Sequence, residues 1–197
     1  MPSPVRLEVV FELPSSVLAL LTFSMIINPL PPTAHRSARP EDVVIDTVVV
    51  HSMAHPEAPA PEELMSCVER LSDYAVSAHY FIERSGGVWC LVPPEECAWH
   101  AGVSRMPSPD RRERLNDFSI GIELIALPEN AFTDAQYRAL GELLFELYNR
   151  FPIRFVVAHS DVAMPPGRKT DPGGLFSWER VIAEVSPLAP QLTFPGR

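Results

Sequence analysis

Apolar residues fall along this chain in two kinds of block. Some are nearly unbroken: 43–50 (VVIDTVVV), Ser119–Ile125 (SIGIELI) and Phe155–Ala158 (FVVA). Runs this short, rich in β-branched residues and without polar alternation, predict strands covered on both faces of a sheet. Others recur at helical spacing. Pro61 followed by Glu62 and Glu63 predicts a helix start, because proline suits the first helical position and acidic groups suit the positive end of the dipole. Leu64, Val68 and Leu71 would form its apolar face. Thr133 with Gln136 reads as a capping box that opens a helix running to about Arg150, with Tyr137, Leu140, Leu144, Leu147 and Tyr148 on one side. A last short helix is expected from near Ser177, carrying Trp178, Val181 and Ile182. Residues 79–82 and 88–92 flank Ser85-Gly86-Gly87 and read as a hairpin. The stretch 93–116 reads mostly as loop, and 159–174 as neither helix nor strand.

Strands alternating with helices predict the α/β class, as a single domain with a central mixed β-sheet flanked by α-helices. The expected layout is an N-terminal extension over 1–35, a body over 36–185 and a tail over 186–197. Within the extension, 17–27 (VLALLTFSMII) is apolar but about half the length needed to span a bilayer. Arg6 is offset by Glu8 and Glu12 where a secretory leader needs net positive charge. A strand or short helix packed on the body is expected there, with a weak leader as the alternative.

At 197 residues the chain suits one domain. Its formal net charge of −9 argues against nucleic acid as a partner, since no run of Lys and Arg could neutralise a polyanion. The 22 prolines predict long, stiff loops. Cys67, Cys90 and Cys97 are odd in number and lack C-x-x-C spacing, which suits reduced thiols better than a disulfide framework, although a Cys90–Cys97 bridge stays open.

The sharpest chemistry is His51 at the tip of the first apolar run, with His159 and Asp171 in the late loop. Two imidazoles and a carboxylate from separate elements can make a three-ligand zinc site with an open fourth position. Spacing alone leaves the alternative that the histidines merely end strands and Asp171 starts an Asp-Pro-Gly turn. Asp161 is a rival ligand by proximity. Cys97 with His100 offers only two candidate ligands, and His35 and His55 read as surface residues.

The segments VVVHSM (48–53), SAHYFI (77–82), AWHAG (98–102), SIGIEL (119–124), FTDAQY (132–137) and AHSDVAMPPGRKTDPG (158–173) resemble the type 2 N-acetylmuramoyl-L-alanine amidases. These are zinc enzymes related to phage lysozyme-type amidases and peptidoglycan recognition proteins. The likeness covers roughly residues 36–182. It implies one zinc ion per chain on His51, His159 and Asp171, where the metal acidifies water and polarises the scissile carbonyl. It implies that Glu123 is the acid/base and that Lys169 stabilises the tetrahedral oxyanion. His79 and His100 are expected as substrate contacts, His79 alternatively as an orienting residue. The reaction implied is hydrolysis of the amide between the lactyl group of N-acetylmuramic acid and L-alanine of the stem peptide, in wall turnover or recycling. A non-catalytic muropeptide-binding module is the alternative, and a metalloprotease is disfavoured because H-E-x-x-H is absent. Ser52, where many relatives carry a histidine or aromatic, leaves the groove's shape open. The expected partners are peptidoglycan or soluble muropeptides, with no stable membrane span, and the expected state is a monomer. A body starting near Arg36 leaves no linker behind a cleaved leader, so a cytoplasmic location is expected, with periplasmic or secreted as the alternative.

Overall fold

A computed structural model describes residues 5–9 and 23–197, with backbone alone for 5–9, 23 and 24. In chain order its strands are β1 (Val5–Val9), β2 (Phe23–Pro29), β3 (Arg36–Ala38), β4 (Thr47–Met53), β5 (Tyr80–Ile82), β6 (Val88–Cys90), β7 (Glu96–Ala98), β8 (Ser119–Ile125) and β9 (Phe155–Ala158). The helices are α1 (Leu64–Asp73), α2 (Asp134–Arg150), the single turn α3 (His159–Val162) and α4 (Trp178–Val185). Seven strands form one mixed sheet in the order β1-β2-β6-β5-β8-β4-β9. β4 pairs parallel with both β8 and β9, whereas the β5–β6 hairpin is antiparallel. This is the α/β architecture expected from the sequence, a mixed sheet with helices on its flanks.

The apolar runs behave as their composition dictates. All seven residues of β8 are buried, as are the first five of β4. Alternate positions then serve opposite faces. Val48, Val50, Ile120, Ile122 and Leu124 face α2 and α4, joining Leu140, Leu144 and Val181. Phe81 and Ile125 pack toward α1 through Leu64 and Cys67. Val49 and Val157 sit in a third cluster with Ala101 and Leu115. His51 and Glu123 therefore fall on the same faces as Val49 and Gly121, away from the α2 core. The capping box at Thr133 and Gln136 is present in both directions. Gln136 is fully buried and its amide also donates to the strand-end carbonyls of Ile82 and Ile125, at 3.3 and 3.0 Å.

Several boundaries differ from the sequence reading. β4 starts at Thr47, not at residue 43, and runs past His51 to Met53. The first helix starts at Leu64, and Glu63 caps it by accepting the Ser66 amide at 3.1 Å, so Pro61 lies outside it. One helical turn, α3, occupies the start of a stretch expected to have no regular structure. The expected loop 93–116 contains β7, which pairs with β3 as a separate two-stranded sheet. Within the apolar segment 17–27, residues 23–27 lie in β2, with Met25 and Ile27 in the main core, while 17–22 lie outside the described residues. Ala189 and Leu192 also join that core, and Thr193 bridges Phe155. All three cysteines are free thiols, so no Cys90–Cys97 bridge forms. Burial pushes Cys67 up to about 12 and Cys90 to about 11, which keeps both protonated and unreactive near neutral pH.

Thr133→Ala is expected to cost about 1 kcal/mol, the usual loss for one cap. Gln136→Ala should cost roughly 3 kcal/mol, since it strands one amide and two carbonyls in the core. Urea denaturation of the two variants checks the ranking, and equal losses would contradict this role for the buried amide.

Candidate active site

Strand register builds the site. His51 lies beside Glu123 in the parallel β4–β8 pair, and Glu123 lies beside Phe81 on its other side. On the far side of β4, Val50 pairs with Ala158, the last residue of β9. His159 therefore leaves the sheet next to His51 and opens α3. The loop that follows folds back, and the Ser160 amide donates to the Asp171 carbonyl at 3.0 Å.

Three side-chain atoms converge there. His51 Nδ1 lies 3.0 Å from His159 Nδ1 and 3.1 Å from Asp171 Oδ2, and His159 Nδ1 lies 3.0 Å from the same oxygen. Among the described residues this trio is the one group of three His, Cys, Asp or Glu side chains placed to hold a metal ion. A tetrahedral ion with bonds of about 2.0–2.1 Å needs ligand atoms about 3.3 Å apart, close to the triangle observed. Protonation also fits. Burial pushes His51 down to about 4, so its ring is neutral near pH 7. Burial would raise Asp171, but hydrogen bonds with His159 and His51 outweigh it and hold the carboxyl well below the usual range. A neutral imidazole beside an ionised carboxylate is what metal binding requires.

Glu123 is buried at the edge of this triangle, its Oε1 4.0 Å from His51 Nδ1. Its Oε2 has no hydrogen-bond partner. Burial, and then the charge of Asp171, push its pKa well above the usual carboxylate range. A buried, half-unpaired carboxyl is costly in a purely structural role and suited to proton transfer. Lys169 is exposed and lines the same cavity of about 430 Å³, together with His51, Glu123, His159, Asp171 and Arg70. Arg70 stands at the rim, 2.6 Å from Glu57 and over the ring of the exposed Tyr74.

The two histidines expected at the groove are placed differently. His79 has no exposed surface and does not line the cavity. Its Nδ1 accepts the Gly121 amide at 2.9 Å, and its Nε2 is 3.1 Å from the Glu96 carbonyl. Burial and the nearby Arg39 push it down to about 3, so it is a neutral bracket between β8 and the β7 edge, out of reach of a ligand. His100 does line the cavity, yet its Nδ1 is 3.0 Å from His51 Nε2 and its Nε2 is 3.3 Å from Ser119 Oγ. Asp161 is taken up elsewhere, accepting from the Ala158 amide at 3.0 Å and from Arg197 at 2.6 Å. His35 and His55 are half-buried, His35 beside Trp99 and His55 beside Glu57, and neither reaches the triangle.

Four supporting residues escaped the sequence reading. Gly121 leaves room for His100, because a Cβ there would stand 2.5 Å from the imidazole Cγ. A glycine inside an otherwise apolar strand is a readable sign of such close approach. Asn116 accepts the amides of His100 and Ala101 at 3.2 and 2.8 Å. Arg39 donates to the carbonyls of Pro94, Asn116, Asp117 and Ser119, all within 3.0 Å. Arg168 donates to the carbonyls of Ala101 and Val103. Nothing in composition or spacing pointed to the last three.

Residues 40–174 match the family model described as N-acetylmuramoyl-L-alanine amidase. The chain is 38% identical over 171 residues to the 1,6-anhydro-N-acetylmuramyl-L-alanine amidase AmpD of Citrobacter freundii, covering 79% of this chain and 89% of that protein. It is 37% identical over 162 residues to the N-acetylmuramoyl-L-alanine amidase AmiD of Escherichia coli (strain K12), covering 71% of this chain and 53% of that one. Among solved structures, the crystal structure of a selenomethionine AmpD derivative superimposes with a TM-score of 0.68 at 35% identity, covering 81% of this chain and 94% of that one. The complex of E. coli AmiD with the substrate anhydro-N-acetylmuramic acid-L-Ala-D-gamma-Glu-L-Lys does so with a TM-score of 0.61 at 32% identity, covering 74% and 60%.

A metal at the triangle should stabilise the fold. With free ion at about 100 times its Kd, the metal-depleted protein is expected to gain roughly 2.7 kcal/mol, read as a rise in Tm. His159→Ala should abolish most of that rise, and a rise equal to the wild type's would show that the ligand set is wrong.

Proposed function

The chain belongs to the N-acetylmuramoyl-L-alanine amidase family, and from that premise we propose how its groove hydrolyses the amide between the lactyl group of N-acetylmuramic acid and L-alanine of the stem peptide. One zinc ion is assigned to His51, His159 and Asp171, because two imidazole nitrogens and one carboxylate oxygen are a donor set that zinc favours. When bound, the ion supplies Lewis-acid polarisation of the scissile carbonyl and makes water acidic enough to attack near neutral pH.

The chain's own groups do the rest. Glu123 is the acid/base: it takes the proton of the attacking water and later gives it to the departing L-alanine nitrogen. The observation that carries this role is its burial one strand over from His51, with Oε2 free of any protein partner. A raised pKa brings the group nearer the operating pH, where a single carboxyl can both accept and donate. A pure muropeptide binder would gain nothing from so costly a carboxyl, which counts against the non-catalytic alternative. Lys169 reaches the groove from the loop that carries Asp171, and its ammonium offsets the charge that develops on the carbonyl oxygen.

The substrates assigned are soluble anhydro-muropeptides, in the recycling of wall fragments. Support comes from the curated AmpD relatives, named for the 1,6-anhydro sugar, and from the anhydro-muramyl peptide held by AmiD. No helix among the described residues is long and apolar enough to cross a membrane. Three free thiols suit a reducing compartment, and a cytoplasmic location is assigned on that ground.

Glu123→Gln should keep one zinc per chain and lose about 10²- to 10⁴-fold in turnover, measured at saturating substrate beside metal analysis. Wild-type turnover in that variant would remove the acid/base assignment. Lys169→Ala should lower kcat by about 10²-fold with zinc retained. Mass spectrometry of products from soluble anhydro-muropeptides and from intact sacculi, run side by side, tests the substrate. Faster release of peptides from sacculi would overturn the recycling role.

A further inference from the structure

The two histidines of the metal triangle turn their far nitrogens toward consecutive residues of one loop. His159 Nε2 lies 3.2 Å from the Ala101 carbonyl, and His51 Nε2 lies 3.0 Å from His100 Nδ1. With an ion drawing the Nδ1 lone pairs into the triangle, the direction of each outer hydrogen bond follows from groups that have no choice. A carbonyl only accepts, so His159 carries its proton on Nε2 and turns the Nδ1 lone pair to the triangle.

The second chain is longer but equally constrained. Ser119 Oγ donates its one proton to the Leu115 carbonyl, at 2.5 Å. That oxygen can then only accept from His100 Nε2, 3.3 Å away. His100 is thereby protonated on Nε2 and bare on Nδ1, and must accept from His51 Nε2–H. The Nδ1 lone pair of His51 is left for the triangle. Both outer partners thus match the tautomer that ligation through Nδ1 requires.

One short turn holds both chains in place. The 3-10 turn Leu115–Asp117 supplies the carbonyl that ends the serine chain, and Asn116, whose side chain accepts both loop amides. Arg39 ties the backbone carbonyls of Asn116, Asp117 and Ser119 together, and Gly121 gives the His100 ring its berth.

We propose that His100 and the Ala101 carbonyl, set by Ser119 and Asn116, are positioning groups that fix both histidine ligands as Nε2–H tautomers, and that His100 is not a substrate contact. This rests on the reading of the triangle as the zinc site. Metal-ligating histidines elsewhere depend on such partners, whose loss typically costs 10- to 100-fold in metal affinity or activity.

The test uses full-length protein, zinc-loaded for spectroscopy and metal-depleted for titration. Long-range ¹H–¹⁵N correlation on the zinc-loaded wild type should show His51 and His159 as Nε2–H tautomers bound through Nδ1. Zinc titration against a competing chelator should show 10- to 100-fold weaker binding in His100→Ala. His100→Asn puts an amide oxygen near the position of Nδ1 and should recover most of that loss. Asn116→Ala should weaken binding, and Asn116→Asp, which keeps the acceptor, should restore it. Wild-type His51 found as the Nδ1–H tautomer, or His100→Ala binding zinc like the wild type, overturns the proposal. A wild type that binds no zinc overturns the metal reading first, and the proposal with it.

Discussion

Parallel pairing of β4 with strands on both sides is the constraint on which the rest of the molecule depends. Because the two ladders share one strand, the position of His51 fixes its neighbours without any side-chain interaction: Glu123 on one side and the exit of β9 toward His159 on the other. A slip of one residue in either ladder would turn Glu123 into the opposite face or carry His159 away from the triangle. The slip is resisted by the apolar residues between them. Val48, Val50, Ile120 and Ile122 would have to leave the α2 face for the other side of the sheet. Hydrophobic burial thus sets the geometry of polar groups that contribute little cohesion of their own.

The same burial sets their charge states. Enclosure favours the neutral form of every ionisable group, yet the proposed reaction asks for an anion at Asp171 and a protonatable carboxyl at Glu123. The difference lies in their partners. Asp171 accepts from two imidazoles and stays ionised, whereas Glu123 has one oxygen without a partner and sits near that negative charge. Two carboxyls on one groove are thereby driven in opposite directions, the separation expected where one binds and the other transfers protons.

Much of this was legible in the sequence, and the reason is uneven. Ser119–Ile125 and Phe155–Ala158 were readable to the residue because apolar runs this short and rich in β-branched residues favour a doubly covered sheet over a buried helix. The Thr133–Gln136 box was readable because its two hydrogen bonds are local. The start of α1 was misplaced because Pro61 followed by two glutamates satisfies the rules for a first turn, whereas the cap is Glu63, a residue type outside the usual capping set. The pairing of β3 with β7 joins two three-residue segments sixty residues apart, too short for any periodicity to announce them. Likewise the metal triangle could be proposed from residue types, but its outer supports could not. Asn116 and Arg39 act through backbone carbonyls and amides, and a carbonyl looks the same in every sequence.

Arg39 carries a practical consequence. The family match begins at residue 40, one position after the guanidinium that gathers the carbonyls beneath the His100 loop. The limits of that family model and the limits of the cooperative unit therefore do not coincide. Anyone trimming this protein, grafting it into a fusion or swapping its leading segment for a tag should treat the strand that delivers Arg39 as part of the catalytic body. A cut at the family boundary would keep every group of the metal triangle and remove the clasp behind it.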